Sequence, residues 1–188
     1  MIQSKDDYRF YLEADRISLG IKGTWYEFFF DDVWKFQKFL RKYEYFYNCK
    51  KSKIWKPYLL YLMIRYKSLS FKYGYIININ VFGPGLSIAH YGPLVVSYAA
   101  KVGKNCRIHN EVYITGGNIV WDAPIIGDNV YIGPGAKILG GITIANDIVI
   151  GANAVVTKSF LEPGITIAGV PAKKISDNSS EKLIIKGA

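Results

Sequence analysis

Eleven positions, each six residues after the last, are all valine or isoleucine: Val96, Val102, Ile108, Ile114, Val120, Ile126, Ile132, Ile138, Ile144, Ile150 and Val156. With these residues at about one in three locally, such a run has chance odds on the order of 10⁻⁵. Six is neither the 3.6-residue period of a helix nor the two-residue period of a flat strand. It is the period of a solenoid that turns a corner every six residues and stacks branched side chains in an inner column. A second inward site follows four residues after each column position, at Ala100, Cys106, Val112, Asn118, Pro124, Val130, Ala136, Ile142, Ile148 and Ala154. Gly103, Gly127, Gly133 and Gly151 directly follow column residues, where a tight bend would strain a Cβ. Three such edges close a triangular coil of about 18 residues, and the stretch from Tyr75 to Ala168 has room for about five coils.

The chain has 188 residues and divides near Tyr75. Residues 1–75 hold 15 Lys/Arg against 8 Asp/Glu and 22 of the 29 aromatic residues, while residues 76–188 hold 9 against 7. The net charge of +9 therefore sits mostly in the first part. Two helices are predicted there. One spans about 31–47, with Val33, Trp34, Phe36, Phe39, Leu40 and Tyr43 at helical spacings behind the acidic turn of Asp31 and Asp32. The other starts at Pro57 and carries Tyr58, Leu59, Leu62, Met63 and Tyr66. The domain plan is a basic, aromatic helical region over 1–74, a solenoid over 75–175 and a tail over 176–188. The helical region reads as a cap over the open first coil. A second reading of the same composition is a surface that also rests on anionic lipid, since Lys/Arg attract such headgroups and Trp/Tyr suit the interface. No nucleic-acid motif accompanies the charge.

Cys49 and Cys106 follow neither disulfide nor zinc spacing, and no apolar run reaches the 18 or so residues of a spanning helix. A reduced, cytoplasmic protein is expected, whether free or resting at the inner face of a membrane. Two histidines, His90 and His109, are too few for a three-histidine zinc site, and neither is spaced with Cys or carboxylates as a metal ligand. There is no nucleophile elbow, P-loop or dinucleotide fingerprint.

Three strings carry a resemblance. They are GLSIAHYGPLVV around His90, IGPGAKILGGITI, and GANAVVTK followed by AGVPAKKI. Over roughly half its length the chain resembles the serine acetyltransferase branch of the hexapeptide-repeat acyltransferases. With its N-terminal helices it looks most like the capsule and exopolysaccharide O-acetyltransferases of that branch. The resemblance implies a left-handed parallel β-helix, a homotrimer with sites between subunits, and acetyl-CoA as co-substrate without a metal. It also implies His90 as general base, a role suited to an imidazole that ordinarily titrates near pH ~6.5. Carried over by position, Pro134, Gly135, Ala152, Thr157, Lys158 and Lys173 would hold the carrier, the two lysines as phosphate partners. Pro134 stands where related transferases use an oxyanion-binding amide and has no N–H, so Gly135 is the substitute expectation.

Departures from the branch set the acceptor expectation. Tyr75 stands where an Asp lies fifteen residues before the catalytic histidine, and Trp121-Asp122-Ala123-Pro124 stands where Arg and His would help hold an amino acid. Free serine, whose carboxylate needs a cation, is therefore expected to be a poor acceptor. The expected acceptor is a sugar hydroxyl of a nucleotide sugar, a lipid-linked repeat or a polymer, contacted by Tyr75, Tyr91, His109, Asn118, Trp121 and Asp122. The alternatives are serine O-acetylation in cysteine biosynthesis, a xenobiotic acceptor, and a solenoid that binds without catalysis. His109 is expected to be a structural histidine bonded to a turn.

Overall fold

The computed structural model describes residues 1–22, 31–117 and 122–188, so Asn118, Val120 and Trp121 lie outside the described residues. A left-handed β-helix of five coils follows, among the described residues, the α-helices α1 (Lys5–Ser18), α2 (Asp32–Cys49) and α3 (Lys56–Tyr73). One face of the prism stacks β1 (Tyr75–Ile76), β3 (Leu94–Val96), β6 (Val112–Thr115), β9 (Lys137–Leu139) and β12 (Val155–Val156). The second stacks β4 (Lys101–Val102), β7 (Ile125–Ile126) and β10 (Thr143–Ile144), extended by bridges from Phe82 and Phe160. The third stacks β2 (Ser87–Ile88), β5 (Arg107–Ile108), β8 (Tyr131–Ile132), β11 (Val149–Ile150) and β13 (Thr166–Ala168). The antiparallel β14 (Lys173–Ser176) closes the last edge.

The six-residue pattern works because every column residue meets its counterpart one coil away. On the third face Ile88, Ile108, Ile132, Ile150 and Ile167 pair in register and are at most 1% exposed. Each such burial stabilises the fold by about 2–3 kcal/mol. The second inward sites fill the corners, with Ala100, Cys106, Val112, Val130, Ala136, Ile148 and Ala154 all buried. Ile114 pairs with Ile138, and Ile126 pairs with both Val102 and Ile144, so a single corner separates Ile114 from Ile126. Twelve residues separate these two positions where six separate the other neighbours in the column, and the extra length equals one edge, so the sequence period stays in phase.

The glycines serve a different purpose from the one their spacing suggests. A Cβ on Gly127 would lie 2.9 Å from the amide nitrogen of Asn146, and one on Gly133 would lie 2.8 Å from that of Ala152. They permit close stacking of coils rather than a positive φ. The left-handed corner residues are instead Asn105, Asn129 and Asp147 (φ 54°, 56° and 60°), residue types that tolerate this region. Their side chains form a ladder: Asn105 Nδ2 donates to Asn129 Oδ1 at 2.9 Å, and Asn129 Nδ2 donates to Asp147 Oδ1 at 2.9 Å.

The helices cap the open edge of the first coil with polar groups, and this is what fixes their place. Asp15 accepts from the amides of Gly85 (2.9 Å) and Leu86 (2.8 Å), and Glu44 accepts from that of Asn80 at 2.7 Å. Arg41 donates to the carbonyls of Phe82 (3.0 Å) and Gly83 (2.6 Å). Gln37 donates to Leu86 O and accepts from Ile88 N, while Tyr66 donates to Ile77 O. An unpaired strand edge invites association, and here side chains from all three helices pair it instead. Two of those helices were expected; α1, which supplies Asp15, was not. Residues 176–188, read as a tail, return along the prism: Ser180 bonds Asn129 O and Asp147 O, and the amides of Gly187 and Ala188 donate to Asn105 Oδ1.

Candidate active site

His90 is exposed at the edge that joins the third face to the first. Its loop is held by the end of α3. Gly74 caps that helix in the left-handed conformation (φ 77°) and turns the chain into β1. The Tyr73 carbonyl then accepts from Gly92 N, the Gly74 carbonyl accepts from Leu94 N, and Tyr75 Oη donates to the His90 carbonyl at 3.1 Å. Tyr75 is 2% exposed and packs edge-on against Phe36 at 4.8 Å. Expected among the acceptor-contacting residues, it is instead buried and holds the His90 loop from behind.

Because the third-face isoleucines are in register, the residues two positions later follow one another down this edge: His90, Asn110, Pro134, Ala152 and Gly169. Backbone bonds fasten the row, from Gly135 N to Asn110 O at 3.1 Å and from Asn153 N to Pro134 O at 2.8 Å. The Gly135 amide is thus already spent, so it is not the oxyanion donor it was expected to be. Pro134 and Ala152 are exposed two and three coils from His90, about 10 and 15 Å at the spacing of paired strands. Lys173 pairs with Ala168 at the lower end of the same edge and is exposed. Tyr91, beside His90, is 70% exposed.

His109 lies one residue before Asn110 in this row, its ring 5.8 Å from His90 and 5.1 Å from Tyr131. Its Nε2 is buried without a hydrogen-bond partner among the described residues. That nitrogen therefore does not make the expected bond to a turn. Burial, and then the charges of Arg107 and His90, push its pKa below the usual histidine value, which favours its neutral form. Arg107, not singled out in the sequence, donates to Ser87 Oγ at 3.0 Å and places a cation near His109. Burial pushes the Cys106 thiol up to about 12, so that residue is no nucleophile. No cluster that could hold a metal occurs among the described residues.

Asp122, Thr157 and Lys158 sit on a different edge, the one joining the first face to the second, while Asn118 and Trp121 lie outside the described residues. Asp122 accepts through its carbonyl from Gly117 N at 3.2 Å and lies against Gly141. Thr157 and Lys158 follow β12 at this same edge, both exposed, with Lys158 Nζ 5.5 Å from the Phe160 ring centre. One chain therefore separates the expected residues into two sets on two edges, and does not bring Asp122, Thr157 or Lys158 to His90.

Residues 123–158 match the bacterial transferase hexapeptide family (six repeats). A serine acetyltransferase of Mycobacterium tuberculosis is 39% identical over 100 residues, which cover 52% of this chain and 43% of that protein. The crystal structure of Neisseria gonorrhoeae serine acetyltransferase in complex with serine superposes with a TM-score of 0.71 and 26% identity, covering 92% of this chain and 71% of the other. That of the Brucella abortus strain S19 enzyme in complex with coenzyme A superposes with 0.68 and 27%, covering 93% and 68%. The chain spans about half the length of the curated relatives it matches.

These matches overturn the expectation of a capsule or exopolysaccharide acceptor: the matching relatives and solved structures are serine acetyltransferases, one of them holding serine. The expectation rested on a missing cation at Asp122 and Ala123. Ala123 is buried and Asp122 belongs to the other edge of its own chain, whereas Arg107 places a cation near His109. In its six-residue repeat over residues 123–158 and in its fold, the chain is similar to the bacterial transferase hexapeptide family and to the serine acetyltransferases.

Proposed function

We propose that the protein transfers the acetyl group of acetyl-CoA to the hydroxyl of serine. The observation that carries this reading is the position of His90, exposed at one end of a straight edge whose further coils present Pro134 and Ala152. A carrier lying along that edge brings its thioester to the histidine. His90 takes the serine hydroxyl proton as the oxygen bonds to the acetyl carbon, the carbon–sulfur bond breaks, and the thiolate leaves with a proton returned from the imidazolium. Direct transfer suits a chain whose Cys106 thiol is buried and held protonated. Arg107 is the partner for the serine carboxylate. The assay is CoA release followed with a thiol reagent. Serine-dependent release with kcat/KM of about 10⁴ M⁻¹s⁻¹ or more is expected, and no release on adding serine would overturn the assignment.

Division of the site residues between two edges supports a homotrimer in which the His90 edge of one subunit faces the Lys158 edge of its neighbour. Lys158 and Lys173 then bind the phosphates of the carrier. Mixing His90→Ala chains with Lys158→Glu chains tests this. Random assembly gives roughly a quarter of the clefts an intact pair of edges, so about a quarter of wild-type activity should return at low acetyl-CoA. Two inactive variants that stay inactive after refolding together would place both edges in one subunit's site and sink the arrangement.

A further inference from the structure

Helix α3 is apolar on two opposite faces, and only one of them is used by the fold. Leu62, Tyr66 and Tyr73 are buried against the rest of the protein. On the far side Leu60, Ile64 and Phe71 fall within about 40° of one another at 3.6 residues per turn. They are 52%, 56% and 94% exposed, and Tyr61, at 50%, lies at the margin of the stripe. A helix that is apolar all round belongs in a buried setting, so this second face calls for a partner.

The charges around it say which. Lys56 and Lys67 flank the stripe on one side and Arg65 and Lys72 on the other, all exposed. The segment leading into the helix adds exposed Lys51, Lys53, Ile54 and Trp55. Between residues 45 and 110 there is no Asp or Glu at all; among the described residues Asp32 is the acidic group that pairs with one of these cations, 3.9 Å from Lys72. Beneath the stripe a groove of about 580 Å³, lined by Met63, Phe71, Ile76 and Ile79 with Lys67 at its margin, continues the apolar surface.

We infer that the exposed face of α3 is a docking surface for an anionic phospholipid bilayer. The helix lies in the interface with its apolar stripe toward the acyl boundary and its cations among the headgroups. No described helix is long and apolar enough to cross a membrane, so the contact is one of surface. A second copy of the chain is the competing occupant. A two-fold contact sets the same patch on both partners, which would bring Lys56, Arg65 and Lys67 against their own copies, an unfavourable juxtaposition.

Co-sedimentation of the full chain with vesicles tests this, using phosphatidylcholine alone and phosphatidylcholine with phosphatidylglycerol. Binding is expected to the anionic vesicles, and it should fall as salt is raised. Lys67→Glu should weaken partitioning about fivefold or more, the effect of one cation at such a surface. Phe71→Ser should weaken it about tenfold, the effect of one aromatic anchor. Phe71 makes no core contact that its loss could unfold, and an unchanged circular dichroism spectrum verifies this. No binding, equal binding to neutral vesicles, or variants that bind undiminished would each overturn the inference. So would a lipid-free assembly that Phe71→Ser dissolves, because the stripe would then belong to a second copy.

Discussion

His90→Ala is expected to lower kcat by 10²–10⁴, about what a positioned general base contributes, while acetyl-CoA binds within about twofold of wild type. The structure makes this a clean removal. Tyr75 holds the loop through the His90 carbonyl, not its side chain, and Gly92 and Leu94 are tied to the end of α3 by their own amides, so an alanine leaves the loop where it is. His109 is the only other imidazole and lies 5.8 Å away. Burial and its charged neighbours hold its pKa below the usual histidine value, which limits any rescue. Single-turnover acetylation measures the effect and calorimetry the affinity for the carrier. A variant that keeps more than about a tenth of wild-type kcat would remove His90 from the proton transfer.

Much of this architecture was legible because period reports stacking directly. The column from Val96 to Val156 and the small residues four positions on gave the prism and its coil count. Period fails where an irregularity has the length of the repeat. The extra length between Ile114 and Ile126 equals one edge, so the period alone does not reveal that a single corner separates them. Helix α1 was missed for a different reason. Its buried residues are Tyr11, Ala14, Asp15 and Ser18, half of them polar, so no apolar stripe marks it. Its signals are local ones: Ser4 accepting from Asp7 N, and Asp6 and Asp7 in the first turn.

The site divides in the same way. Among the proposed site residues His90 stands out in the sequence because its loop carries a dense motif. Arg107 and the buried place of Tyr75 do not, since both depend on which coil lies next to which. Sequence alignment points to Asp122 and Ala123 for the proposed acceptor site, whereas Arg107, 17 residues after His90 in the chain, stands opposite Ser87 only through the pairing of β5 with β2.

Arg41→Met is expected to cost about 3–5 kcal/mol of folding free energy, the usual effect of removing one partner from a buried ionic network. Arg41 and Asp15 are fully buried and Glu44 nearly so. The guanidinium donates to Asp15 at 2.8 and 3.2 Å and to Glu44 at 3.0 Å. Burial alone would lower its pKa, but the two carboxylates outweigh burial and raise it, so the cation persists at any working pH. The variant leaves two carboxylates without their counter-charge and orphans the carbonyls of Phe82 and Gly83. For a chain of this size the midpoint of thermal unfolding should fall by about 10 °C. Replacing all three charged residues with apolar ones can leave a protein as stable as before when the ions satisfy only one another. Here they also satisfy the amides of Asn80, Gly85 and Leu86, and an apolar triad would leave those groups unpaired at about 1–3 kcal/mol each. The triple variant Asp15→Leu/Arg41→Met/Glu44→Leu should therefore recover little of the loss. A triple variant that melts at the wild-type temperature would show that the network is not what pairs the open edge of the first coil.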